Sequence, residues 1–214
     1  MSPRTLRQMA GLKAPQSLAA GKTALVLVDF QGDYFDPAKL PIPGGPAAAG
    51  QAARLIAAFD AAGAKVVHVR HLAGSPAAPL FAPGSPGAEI VAAVRPKAGH
   101  EVMSKGLPSS FVNTELDTRL RSAGIDTVVV AGLMTHMCVD ATARDAMSRG
   151  YKVIIAADAC ATRDLPGPDG GEAIAADTIH RATLAALADR FADVMRAEEL
   201  ASMFAPVPSG AASA

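Results

Sequence analysis

The sequence predicts an α/β domain whose parallel sheet carries helices on both faces. Three observations predict it. Short, largely apolar runs recur along the chain, alanine-rich helical stretches separate them, and glycines follow several of those stretches. Strands that alternate with helices are parallel, because each crossover returns the chain to the same edge of the sheet. With 214 residues, half of them hydrophobic, the chain has the size and apolar content for one such three-layer domain with a six-stranded sheet.

Met1 to Gly21 is polar and irregular, so residues 1–21 form an arm ahead of a domain at 22–204. Thr23–Val28 is the first strand, an almost unbroken apolar run of the kind buried on both faces, and it terminates at Asp29. Asp36 to Pro46 is a proline-and-glycine loop. Ala47–Ala62 is a helix stopped by Gly63, and Lys65–Val69 is the second strand, with Arg70 and His71 at its end. Leu72 to His100 holds Pro76, Pro79, Pro83, Pro86 and Pro96. It reads as a long loop with one helical turn at Glu89–Val94, of the length that forms lids or pocket walls. Glu101–Met103 is the third strand, with Lys105 just past it. Asn113 caps a helix carrying Leu116, Leu120 and Ala123 at helical spacing, and Gly124 stops it. Thr127–Ala131 is the fourth strand, broken by Gly132, and a helix bearing Cys138 near its start follows to Arg149. Lys152–Ala157 is the fifth strand, ending at Asp158, and Ala159 to Gly171 is a loop. A helix at Glu172–Ala188, a sixth strand at Phe191–Met195 and a short helix at Ala197–Phe204 follow; residues 205–214 read as a flexible tail.

Composition narrows the function. Twenty basic residues balance twenty acidic ones, which gives no polyanion surface for nucleic acid. The apolar runs are far short of a membrane span, so no membrane partner is expected. The first fifteen residues contain no apolar signal segment. Cys138 and Cys160 therefore read as free thiols in a reducing cytoplasm. No glycine-rich phosphate fingerprint follows the first strand, which argues against a dinucleotide or P-loop site.

In a parallel sheet every strand points its carboxyl end to one edge, and ligands bind there where the strand order reverses. Asp29, Lys105 and Cys138 follow the first, third and fourth strands and converge on that edge. A cysteine at a helix start, beside unpartnered N–H groups, is expected to have a lowered pKa. Taken singly, each residue has a plainer reading. Cys138 is a small buried hydrophobe, Asp29 a turn-bonding carboxylate, and Lys105 a solvated charge.

Four segments change that balance: Leu25 to Gln31; Lys105 with Ser110, Phe111 and Thr114; Gly132 to Val139; and, more weakly, Ala157 to Ala159. In order and spacing they resemble the isochorismatase-like cysteine hydrolases. That family includes nicotinamidases, N-carbamoylsarcosine amidohydrolase, ureidoacrylate hydrolases and streptothricin hydrolase. The resemblance spans Ala24 to Met195.

It implies a Rossmann-like fold and a catalytic triad of Asp29, Lys105 and Cys138. Cys138 is then the nucleophile on a carbonyl carbon, forming a thioester. Asp29 moves the thiol proton to the leaving amine, and Lys105 is the electrostatic partner. The resemblance also implies a cis peptide between Leu133 and Met134, with the N–H groups of Met134 and Cys138 as the oxyanion hole. Phe35, His71, Phe111 and His136 are candidate pocket residues, and Gln31 and Thr135 candidate hydrogen-bonding supports. Cys160, His68 and His180 read as packing or interface residues.

One departure matters. Nicotinamidases carry an Asp-x-His metal pair after the second strand, and the matching place here reads Arg70-His71-Leu72-Ala73. A lone His71 does not make a metal site, so no metal or cofactor is expected. The reading is a cytoplasmic amidohydrolase acting on a small molecule and assembled as a homo-oligomer, a dimer or tetramer. Its rivals are isochorismatase-type ether hydrolysis, which needs no cysteine, and a non-catalytic binding protein on the same fold.

Overall fold

The computed structural model describes residues 3–204. Its core is a six-stranded parallel sheet of β1 (Thr23–Val28), β2 (Lys65–His71), β3 (Glu101–Lys105), β4 (Thr127–Leu133), β5 (Lys152–Ala161) and β6 (Asp193–Met195). The strands lie in the order β3-β2-β1-β4-β5-β6. The order reverses at β1, which pairs with β2 on one side and β4 on the other.

Alternation along the strands separates two cores. Leu25, Leu27, Val129, Ala131, Ile154 and Ala156 face one layer. There they meet Ala52, Leu55 and Phe59 of α2 (Gly45–Ala62) and Leu200 of α6 (Ala197–Ser202). Val26, Val28, Val128, Val130 and Ile155 face the other layer. Their partners include Leu116 and Leu120 of α3 (Leu116–Ser122), Ala143 and Ala146 of α4 (Asp140–Ser148), and Leu187 of α5 (Ala176–Arg190). The arm forms a short helix, α1 (Leu6–Met9), tied to the domain by an Arg7–Asp193 ion pair at 2.6 Å and by the Leu6 N–H donating to Asp189 Oδ1 at 2.8 Å. The expected tail at 205–214 lies outside the described residues.

The corrections fall mostly at element ends. β2 continues through Arg70 and His71, and β3 through Lys105, because His71 and Lys105 are ladder partners. β4 is not broken at Gly132 but runs to Leu133, and β5 continues past Asp158 to Ala161, with Leu133 paired to Ala161. Polar side chains end the apolar pattern there while the ladder goes on. Asn113 is no cap: it adopts a left-handed φ of 55°, and α3 starts at Leu116. α5 starts at Ala176, whose N–H bonds Asp164 Oδ1, because Ile174 is held in a bridge to Leu165. Phe191 and Ala192 cap α5 by donating to the Leu187 carbonyl, so β6 is only Asp193–Met195.

The long loop contains turns at Pro86–Ala88 and Ala92–Val94 and is bound to the segment after β1. The Gln31 amide donates to the carbonyls of His71 and Ala88, both at 2.8 Å, and accepts the His71 N–H at 2.7 Å. Asp33 accepts the Phe81 N–H at 2.6 Å. These bonds make the loop a fixed wall beside the carboxyl edge of the sheet.

Candidate active site

At the reversal of strand order, the ends of β1, β3 and β4 bring three side chains together. Lys105 Nζ lies 2.7 Å from Asp29 Oδ2, both side chains being fully buried, and donates to Cys138 Sγ at 3.3 Å. Asp29 reaches this position through a left-handed φ of 54°, with its N–H bonded to the Val69 carbonyl. Such a backbone is rare outside glycine, and Asp tolerates it better than most residues. Lys105 is placed by the ladder between β2 and β3.

Cys138 is positioned by a local irregularity. After β4 the Leu133–Met134 peptide is cis, and Thr135–Val139 forms a π-helical turn before α4 begins. The Met134 carbonyl accepts the N–H groups of Met137 and Val139. Thr135 Oγ1 is 2.9 Å from His180 Nδ1, and His136 bonds Thr162. His180, read from the sequence as packing or interface, thus holds the turn through Thr135. On the far side, the Ser110 N–H donates to Thr142 Oγ1 and Thr114 Oγ1 donates to the Ser110 carbonyl, tying the loop after β3 to α4.

Gly132 allows β4 to lie against β1. A Cβ there would sit 2.2 Å from the Val28 carbonyl oxygen, and its φ is 153°. No other residue fits both the space and the backbone.

The electrostatics correct one expectation. Cys138, only 4% exposed, lies in the turn before α4, not inside the start of an open helix. Burial foremost, with the Asp29 carboxylate in the same sense and Lys105 pulling the other way, leaves its thiol pushed up to about 12. Burial likewise raises Asp29, with Lys105 opposing. No backbone N–H or hydroxyl donates to the Asp29 carboxylate, so Lys105 and the Cys138 thiol are the hydrogen-bonding groups that oppose burial there. The pair is thus a protonated thiol beside a carboxylate of raised basicity. Burial and Lys105 hold the His71 imidazole below its ordinary value, which keeps it neutral beside Lys105 Nζ at 3.5 Å.

The other expected residues scatter. His71 and His136 border the cluster, and Gln31 and Thr135 support it by the hydrogen bonds above. Phe35 packs near Ile42 and Gly45 at the start of α2. Phe111 is buried against the Tyr151 ring at 5.8 Å, with the Arg149 guanidinium over its face. Asp158 receives the Ala197 N–H at 2.7 Å and caps α6. Tyr34, unremarkable in the sequence, is buried, and burial above all, then Cys138 and Asp29, pushes its hydroxyl up. A cavity of about 550 Å³ between the arm, Tyr151 and Phe191 lies at the opposite edge of the sheet. One of about 300 Å³, lined by Cys160, Thr162 and His180, adjoins the cysteine turn. Among the described residues, no three His, Cys, Asp or Glu side chains gather as metal ligands. No helix among them is long and apolar enough to cross a membrane.

The isochorismatase domain profile matches residues 23–199. The chain belongs to the isochorismatase family. Its structure is similar to an isochorismatase hydrolase from Oleispira antarctica, with a TM-score of 0.81 and 43% identity, covering 86% of this chain and 98% of that one. It is 35% identical to streptothricin hydrolase of Streptomyces noursei, over 86% of this chain and 67% of that protein. It is 38% identical to maleamate amidohydrolase of Pseudomonas putida, over 63% of this chain and 70% of that protein. The chain is an isochorismatase-family hydrolase, and its family relatives include amidohydrolases.

Proposed function

We propose that this family member hydrolyses a C–N bond of a small amide through a thioester on Cys138. The observation that carries the reading is the buried contact of Lys105 Nζ with both Asp29 Oδ2, at 2.7 Å, and Cys138 Sγ, at 3.3 Å. Asp29, made more basic by burial, takes the thiol proton as Sγ attacks the carbonyl carbon. The positive Lys105 stays beside both partners while negative charge moves from carboxylate to sulfur. The N–H groups of Met134 and Cys138 receive the developing oxyanion. Asp29 then gives the proton to the leaving amine, which departs neutral, and the thioester remains. A water molecule deprotonated by Asp29 cleaves it and regenerates the thiol. The amidohydrolases among the family relatives support the reading.

The fold's exposed surface adds a homo-oligomer to the proposal. α5 buries only Leu187 of its 15 residues, leaving a face to be covered by a second copy. Light scattering tests this, and a monomer at micromolar concentration removes it.

The test of the chemistry is ammonia or amine release from an amide panel, with wild type and Cys138→Ala in parallel. The expected result is turnover that drops at least about a thousandfold in the variant, with an acyl-enzyme mass on Cys138 during steady state. Undiminished turnover in Cys138→Ala refutes the thioester.

A further inference from the structure

The larger cavity plays no part in the chemistry above. It lies at the amino ends of β1, β4 and β5, beneath the arm, and measures about 550 Å³, a size common among small-molecule sites. Thr127 lines it, and Leu133 leads into the cysteine turn, so the seven residues of β4, about 20 Å, separate the two places. None of Asp29, Lys105 and Cys138 lines it.

Its walls are apolar. Tyr151, Phe191, Met147 and Leu18 contribute to them. The Tyr151 hydroxyl donates to Asp117 Oδ1 at 2.8 Å, so this residue offers the cavity its ring. Leu12, also in the lining, is 48% exposed, and an occupant would cover it. The charges are unevenly spent. Arg7 is paired with Asp193 at 2.6 Å, and Asp126 Oδ1 accepts the Thr127 hydroxyl at 2.7 Å. Lys65, Lys97 and Lys105 each hold a carboxylate elsewhere in the molecule. Lys13, Lys22 and Lys152, exposed around this cavity, hold none among the described residues. Three ammonium groups against Asp126 leave its mouth net positive.

The arm over the cavity is fastened only at its two ends. The Leu12 N–H bonds the Arg7 carbonyl at 3.0 Å, and the Leu18 N–H bonds the Met203 carbonyl at 2.9 Å. Among the described residues, no backbone hydrogen bond involves Lys13 to Ser17. This strap can shift over a ligand without breaking the ladder beneath it.

A low-dielectric cleft with a positive mouth gathers anions, and its apolar walls select those with an apolar body. Two aromatic rings and a thioether favour a flat aromatic body. Lysine ammonium groups are point charges, which suit a single carboxylate without demanding a forked geometry. We infer that this cavity is a second binding site, for a small aromatic carboxylate. The ring lies among Tyr151, Phe191 and Met147, and the carboxylate faces Lys22 and Lys152. The site is independent of the reaction at Cys138.

The test is titration of the full chain with 2-naphthoate, followed by the ligand's own fluorescence, against uncharged 2-naphthamide. In wild type, the acid is expected to bind saturably, about tenfold tighter than the amide. The double variant Lys22→Gln, Lys152→Gln is expected to erase that preference. Both lysines are exposed, and an unchanged thermal melt shows that the variant is folded. A preference that survives the double variant places the acid elsewhere, the Cys138 site included, and overturns the inference. Equal binding of acid and amide overturns it too. So does the absence of saturable binding up to millimolar acid, the result expected if a second copy or another part of the chain fills the cavity.

Discussion

Asp29 and Lys105 form an ion pair at 2.7 Å with both side chains fully buried, on the ends of strands separated in the sheet by β2. Breaking such a pair from one side leaves a buried charge alone, which typically costs about 3–5 kcal/mol, whereas removing both charges costs far less. Asp29→Asn and Lys105→Met are each expected to lower unfolding free energy in that range. The double variant is expected to recover most of it. Urea denaturation of the four proteins supplies the cycle. Additive losses in the double variant would mean that the two side chains do not compensate each other.

The same pair sets the acidity of the Cys138 thiol. Burial first and Asp29 second raise Cys138, only Lys105 opposes, and together they leave it pushed up to about 12. Asp29→Asn removes a raising influence and leaves Lys105 in place. The thiol should then become more acidic, with a midpoint below about 12, while turnover collapses if, as proposed, Asp29 is the proton acceptor. Alkylation rate against pH and thiolate absorbance report the first effect, and amine release the second. A thiol midpoint unchanged or higher in Asp29→Asn contradicts this account. In wild type, turnover should also fall on acidification as Asp29 protonates, at a pH above the ordinary carboxylate range.

A second buried cluster predicts how stability follows pH. His68 on β2 contacts His100 at 3.0 Å. His100 in turn contacts Asp60, which also binds Lys97. Burial, then the neighbouring His100, drops His68 to about 4, while Asp60 opposes. The unfolded chain therefore takes up this proton near the ordinary value of about 6.5, before the folded protein does. Stability is fully present above that value and declines as pH falls through 6.5 toward 4, by up to about 3 kcal/mol. Urea midpoints at a series of pH values in that window measure the decline. His68→Leu is expected to flatten it, and an equal slope in that variant assigns the effect to other groups.

How far the sequence carried these features depends on what each owes to side chains. β1 was legible because Thr23–Val28 is buried on both faces and is apolar after Thr23. Asp29 was legible as the end of such a run, and Cys138 as the lone cysteine shortly after another. The true ends of β2 and β3 were not, because His71 and Lys105 are polar for the sake of the site while their backbones stay in the ladder. The π-turn at Thr135–Val139 has no compositional signal, since its geometry is fixed by backbone bonds to Met134 and by His180, 45 residues away from Thr135.

Gly132 is where the fold and the site are most tightly joined. It pairs with Val28 on one side and Cys160 on the other, and a Cβ would lie 2.2 Å from the Val28 carbonyl oxygen and 2.7 Å from the Val28 Cβ. That neighbour is backbone of the central strand and cannot swing aside. Gly132→Ala therefore forces the end of β4 away from β1, two residues before Met134 and the turn that carries Cys138. Overpacking of this kind costs about 1–3 kcal/mol, and the positive φ adds to it. The functional loss should exceed the stability loss, because Asp29 follows Val28 and the displacement opens the distance between Asp29 and Cys138. Thermal melting gives the first quantity. The pH profile of Cys138 alkylation gives the second, and should show a thiol freed from Asp29. A Gly132→Ala protein that melts like wild type and keeps the wild-type profile would show that β4 can accept a side chain there, and that the site does not depend on this close approach.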